Sequence, residues 1–206
     1  MKARILAGLW LLVAVVALSS GALAPTASAA PEVFEIDKNH STAGFKVRHL
    51  FTQVTGRFDD VSGTVTWDEA AATQSSVALT IQAASINTSH EKRDEHLRSA
   101  DFFDAAKYPT LAFKSTKIEK TDKANMFKVH GDLTMRGVTK PVVIDLEVMG
   151  FGSASGGRVA GFNATTKINR QDFGITWNKT LDSGGTLLSD EVTIEFPIEA
   201  VKKKAM

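Results

Sequence analysis

The feature that most constrains this chain is an alternation of apolar and polar residues with period two, repeated along most of its length. Ala43, Phe45, Val47 and His49 alternate with Gly44, Lys46 and Arg48, and Val77, Leu79 and Ile81 with Ala78, Thr80 and Gln82. The same rhythm sets Phe127, Val129, Gly131, Leu133 and Met135 in one phase, then Val142, Ile144, Leu146 and Val148, then Val192, Ile194, Phe196 and Ile198. Weaker runs cover residues 33–37, 58–67, 110–119 and 158–168. Successive side chains of a strand point to opposite faces, so each run predicts a strand with one apolar face. Turn residues separate the runs: Asp122-Lys123-Ala124-Asn125, Met135-Arg136-Gly137, and a glycine-rich stretch over residues 150–157. Strands with a single apolar face hide it by pairing two sheets or by closing into a barrel. Runs of nine residues span about 30 Å at ~3.3 Å per residue. Joined by short hairpins, they predict an all-β, antiparallel up-and-down barrel of eight strands.

One stretch breaks the rhythm and predicts a short helical insertion at about residues 89–106. Thr88-Ser89-His90-Glu91 reads as a capping box, with the Thr88 hydroxyl and the Glu91 carboxylate satisfying free backbone N–H groups. The polar segment from Lys92 to Arg98 follows, and Asp101 is placed to cap a second turn. Leu97, Phe102, Phe103 and Tyr108 supply the apolar contacts expected to hold this insertion on an end or side of the barrel.

The first 29 residues read as a cleaved secretory signal peptide. Lys2 and Arg4 precede an apolar run over residues 5–18, and Ala27-Ser28-Ala29 offers a small-residue cleavage site. The run falls short of the ~20 residues of a spanning helix, and no later segment is long and apolar enough for one. Residues 30–206 are then a single exported domain, periplasmic or secreted. Without Lys2 and Arg4 the 24 basic residues become 22 against 23 acidic. That balance excludes nucleic-acid binding, which needs a basic face. The chain has no cysteine, which rules out disulfides, thiolate metal sites and cysteine nucleophiles.

No catalytic constellation assembles. His90, Glu91 and His96 imitate a metalloprotease helix, but six residues separate the histidines where a shared helix face needs four. Asp94 lies one turn from His90 without a specific ligand pattern, and these groups read as surface charges. Ser89-x-x-Lys92 lacks its partner motifs, and Gly152-Ser153-Ala154-Ser155-Gly156 has alanine at the nucleophile position. Phosphate loops and dinucleotide fingerprints are absent. His40 and His49 read as hydrogen-bonded structural residues. The sequence predicts a non-enzymatic protein without metal or cofactor.

The chain resembles the YceI-like proteins, bacterial polyisoprenoid-binding proteins with a lipocalin-like barrel. The resemblance rests on an ordered set of motifs. These are Asp37-Lys38-Asn39-His40-Ser41, Phe45-Lys46-Val47-Arg48-His49 and Gly56-Arg57-Phe58. Arg93-Asp94-Glu95-His96-Leu97, Asp101-Phe102-Phe103-Asp104 and Tyr108-Pro109-Thr110-Leu111-Ala112-Phe113-Lys114-Ser115 come next. The set closes with Gly131-Asp132-Leu133-Thr134-Met135-Arg136-Gly137-Val138-Thr139-Lys140, Ile168-Asn169-Arg170-Gln171-Asp172-Phe173-Gly174 and Leu188-Ser189-Asp190-Glu191-Val192. Phe51 departs from the pattern, since the family often has glycine there. The resemblance implies an exported binding protein that holds an isoprenoid, isoprenoid quinone or similar amphipathic chain in its barrel, for carriage or storage. A scavenger of other hydrophobic molecules, such as fatty amides, shares the same chemistry. An enzyme acting on a barrel-bound lipid would need inward ionisable groups, for which the inward phase offers only His49.

Alternation names the residues that would line such a tunnel: Phe45, Val47, Leu79, Ile81, Phe113, Val129, Leu133, Ile144, Leu146, Phe162, Ile194 and Phe196. Trp67 and Trp177 are expected at one end. Arg93, His96 and Arg170 fall in non-strand segments and are the candidate donors for a polar head, with a structural ion pair to Asp172 or another carboxylate as the alternative for Arg170. Burying one isoprenoid unit contributes roughly 3 kcal/mol, from about four CH₂ equivalents. Several units offset an association cost of ~4–15 kcal/mol. The same residues could instead fill the barrel, and patterning does not separate a packed interior from a hollow one. Side-by-side dimerisation and transient contact with a membrane or membrane protein also stay open.

Overall fold

A computed structural model describes residues 30–154, 157–182 and 184–203; the expected signal peptide lies outside them. Among the described residues eleven strands form one antiparallel sheet, and eight of these close into a ring. They are β1 (Glu32–Ile36), β4 (Val61–Trp67), β5 (Ser76–Gln82), β7 (Thr110–Lys120), β8 (Met126–Met135), β9 (Val138–Ala154), β10 (Gly157–Asn169) and β11 (Leu188–Lys202). From β4 onward each ring strand pairs with the next ring strand along the chain. The ring closes where β1 bridges β4 and β11, with Phe34 opposite both Val65 and Lys202. The expected eight-stranded up-and-down barrel is the observed architecture.

The remaining strands explain how one barrel wall is extended. β11 is long enough to hold two partners end to end. Its C-terminal part pairs with β1, and its N-terminal part pairs with β2 (Ala43–His49), Ile194 facing Phe45. β3 (Thr52–Phe58) folds back on β2, and β6 (Ile86–Asn87) pairs with β3. The alternation reading merged the end of β3 with β4 over residues 58–67 and passed over most of β3. Its residues Thr52, Gln53, Thr55 and Arg57 are polar and exposed, leaving few apolar positions to mark a period.

Two interruptions of the alternation shift side chains between faces. In β7 the register slips between Ser115 and Lys117, so Leu111 and Phe113 point inward before the slip and Ile118 after it. In β9 it slips beside Met149 and Gly150, which faces Gly161. Met149 is thrown outward and Phe151 turns into the core. The glycine-rich stretch expected to be a turn is therefore strand as far as Ala154. Gly150 sits at a bulge, where the extra residue re-aims the side chains that follow. At Met135-Arg136-Gly137 the expected turn is present, with Arg136 and Gly137 both at positive φ (52° and 73°), the conformation of a tight hairpin loop.

The insertion contains one helix, α1 (Glu91–Arg98), followed by irregular turns. The N-cap is His90, whose ring accepts from the Arg93 N–H, and Thr88 makes no capping box. Asp101 caps no second turn. Its carboxylate instead meets the His96 ring at 2.8 Å.

The ring has two unlike ends. At one end, here called the floor, Trp67 packs edge-on against Phe127, with Phe162, Phe151 and Phe34 completing an aromatic layer. Trp67 is only 4% exposed, so this end is sealed. The other end carries α1 and the turn at residues 170–173.

Candidate functional site

Between these ends the barrel holds an apolar cavity. Of the residues named by alternation, Phe45, Val47, Leu79, Ile81, Phe113, Leu133, Ile144, Ile194 and Phe196 line it. Val129, Leu146 and Phe162 line a second, smaller void towards the floor, which also touches Leu79, Phe113 and Ile144. The main cavity offers about 160 Å³ to the centres of water molecules. A single water needs ~10–15 Å³, so the cavity is well above that threshold. Its accessible surface is wholly apolar, so water there would find no partners.

The insertion completes the wall. Leu97 of α1, together with Phe102 and Phe103, lines the cavity; Phe103 meets Phe58 edge-on, and Phe58 packs against Phe45 with the rings tilted at 50°. Tyr108 sits on Gly137, where a Cβ would fall 2.6 Å from its ring. What holds α1 in place is polar and partly buried. The Asp94 carboxylate accepts from the Thr88 N–H and hydroxyl at 2.8 and 2.5 Å. Arg98 donates to the carbonyls of Ala84 and Ile86. The reading of Asp94 as a surface charge is thus corrected: it is 7% exposed and organises the loop before the helix.

The three head-group candidates are engaged within the protein. Arg93 donates to the Thr88 hydroxyl and carbonyl. His96 holds Asp101 and stands edge-on between Phe102 and Trp177. Arg170 lines the cavity with its stem, while its nitrogens reach the carbonyls of Ser189, Ile175 and Trp177 and the Asp190 carboxylate. It is 4% exposed, and burial pulls its pKa down, offset by the charge and hydrogen bond of Asp190. The local sequence builds this post: Asn169 caps the turn through the Gln171 N–H, and Gly174 ends it at φ 74°. Arg136 spans from the β8–β9 hairpin to the carbonyls of Gly174 and Ala100, tying the insertion to the barrel end.

Trp67 and Trp177, expected together at one end, stand at opposite ends. Trp67 lies in the floor, and Trp177 packs beside His96 and Phe102 near α1. Neither lines the main cavity. Ile175 and Leu188 do line it and were not foreseen, because they lie in or next to irregular segments where no period marks an inward face. Met135, Val142 and Val192 also line it and were legible as members of the inward phases. His49 lies at the end of β2, opposite Leu188 and Thr52. On the outer surface Asp37, His40 and Glu199 bring their ligand atoms within 4.8 Å of one another. This is an ion-pair cluster: the hydrogen bond to Asp37 raises the His40 pKa, and the same bond lowers that of Asp37.

The comparisons with known proteins fit this architecture. The YceI-like domain model matches residues 34–200. The chain belongs to the YceI-like family. A UPF0312 protein of Photorhabdus laumondii is 40% identical over 192 residues, covering 91% of this chain and 96% of the relative. The crystal structure of Burkholderia cenocepacia BcnA superposes with a TM-score of 0.72 at 27% identity, over 80% of this chain and 99% of that one. A domain of Saccharophagus degradans described as polyisoprenoid-binding and implicated in plant cell wall breakdown has a TM-score of 0.63 at 18% identity. It covers 82% of this chain and 98% of that one, and shows a shared fold.

Proposed function

We propose that this YceI-like chain is an exported lipid-binding protein that holds an isoprenoid or similar amphipathic chain in its barrel, for carriage or storage. In this reading residues 1–29 are removed on export and residues 30–206 work as one domain outside the cytoplasm. The observation that carries the proposal is a closed barrel whose interior is open over about 160 Å³ and apolar throughout. Ligand sites are commonly concave and mostly apolar, with few polar groups. The polar side chains in the lining are Thr166 and Arg170, and Arg170 is fully engaged. The lining therefore supports binding rather than acid–base or nucleophilic chemistry. The polyisoprenoid-binding description of the Saccharophagus domain agrees with it.

Native mass spectrometry of protein purified without detergent, with extraction and identification of released molecules, tests the reading. A stoichiometric isoprenoid supports it. Fatty amides or mixed amphiphiles would favour a scavenger, and an apo protein that refuses isoprenoids would overturn it. Leu133→Trp separates a hollow interior from a filled one. In a packed core the added bulk costs ~1–3 kcal/mol. Here we expect stability to change by less than ~1 kcal/mol, because the indole enters empty space, while lipid uptake is lost.

A further inference from the structure

The β2–β3 hairpin overhangs the end of the ring that carries α1. Ring strand β10 ends at Asn169, opposite Glu191 of β11, whereas β2 follows β11 on to Leu188, which faces His49. The hairpin tip, Leu50 and Phe51, therefore stands about 10 Å beyond the end of β10, at ~3.3 Å per residue. Phe51 is 97% exposed, although an aromatic ring gains free energy by leaving water. The tip is held in this position. The Leu50 N–H donates to the Leu187 carbonyl at 2.9 Å, and the Arg48 guanidinium donates to the Leu50 carbonyl at 3.0 Å. Leu50 itself is fixed at φ 52°, a conformation uncommon for a residue with a side chain. The Leu187 N–H in turn reaches the Lys179 carbonyl, so the segment around Leu181 and Leu187 lies alongside the tip. Leu50, Leu181 and Leu187 are each half-buried. The cavity begins close behind, since Val47 and Leu188 line it.

We propose that this tip docks on a lipid bilayer with anionic headgroups, with Phe51 entering the interface and the α1 end of the barrel set against the membrane. The inference rests on the lipid-binding reading and adds to it the surface from which the ligand is taken or to which it is delivered. Aromatic side chains favour the boundary between headgroups and acyl chains. The charges beside Phe51 suit an anionic surface. Arg48 and Lys179 are exposed, while Asp190 and Glu191 are already paired with Arg170 and Lys167. Among the described residues of this tip only Asp182 opposes the two cations. The apolar area is too small for a protein partner. A phenylalanine ring buries ~150–250 Å², against ~800 Å² on each side of a stable protein interface. A bilayer needs only such a wedge, backed by attraction between cations and headgroups.

The exported protein, purified without detergent, is sedimented with vesicles of equal parts phosphatidylcholine and phosphatidylglycerol. Binding of farnesol from vesicle-free solution is measured beside it. The wild type is expected to sediment with the vesicles, and Phe51→Ser to partition about 10-fold less, as the ring's burial is lost. Because that ring is exposed, Tm and farnesol binding stay those of the wild type. Lys179→Gln and raised salt weaken sedimentation without changing farnesol binding, since exposed charges are screened. If the wild type does not sediment, or Phe51→Ser sediments equally, the docking is overturned while retained farnesol binding leaves the lipid reading standing. Equal binding to vesicles of phosphatidylcholine alone overturns the choice of an anionic surface. A Phe51-dependent dimer in vesicle-free solution assigns the tip to a second copy and overturns the proposal. Loss of farnesol binding in every form, with sedimentation still dependent on Phe51, removes the lipid reading and leaves the docking.

Discussion

Arg170 shows how a charged residue can stand in an apolar wall. Its planar fork serves three backbone carbonyls that would otherwise be left without donors, and Asp190 balances its charge. A lysine offers a point charge and cannot span acceptors set in a fork. Arg170→Lys is therefore expected to destabilise the protein by ~2–4 kcal/mol, since each buried group left unpaired costs ~1–3 kcal/mol. Urea unfolding measures this, and an unchanged midpoint would remove Arg170 from the list of structural posts. The residue types along the strands were legible because burial in a barrel follows the two-residue period. The partners of Arg170 were not, since they come from positions 5, 7, 19 and 20 residues further along the chain.

At the scale of elements, α1 is a short polar helix held by side chains that reach outside it. Asp94 holds the Thr88 N–H, and Arg98 the carbonyls of residues 84 and 86. Asp94→Ala leaves that buried N–H without its acceptor, a cost of ~1–3 kcal/mol. Because Leu97 of α1 lines the cavity, we expect faster hydrogen exchange across residues 88–98 and faster lipid release, with the barrel strands unaffected. The β1–β2 connection and β11 are joined on the outer surface by Asp37, His40 and Glu199. His40 has a raised pKa, so its contribution is complete below the unfolded value and is lost as pH rises through the folded one. Asp37 has a lowered pKa, so its contribution is present above the unfolded value and is lost as pH falls through the folded one. His40→Ala should accordingly lower Tm most between the carboxylate and imidazole ranges and converge with the wild type above them. A constant difference in Tm across pH would show that the pair does not act through charge. Pattern reading located α1 but misplaced its cap, because several local polar residues compete for the same backbone groups and only their packing decides among them.

For the whole molecule, ring closure gives each of the eight ring strands two neighbours along at least part of its length and leaves an interior that a chain can fill. A ligand bound only by the folded barrel stabilises it by about 2.7 kcal/mol at 100 times its Kd. Thermal unfolding with increasing farnesol should therefore shift Tm upward in the wild type and hardly at all in Leu133→Trp. An equal shift in both would place binding outside the cavity. The single apolar face of each strand, the tight β8–β9 hairpin, the inserted helix and most of the inward residues were determined by sequence alone, because alternation and turn chemistry are local properties of the chain. The tertiary structure alone decided the rest. It divided β11 between β1 and β2, turned Phe151 inward through a bulge, and sent the two tryptophans to opposite ends. It also left the middle of the barrel unfilled. A residue's face follows from its neighbours in sequence, but whether the space before that face is occupied depends on side chains brought in from the opposite wall.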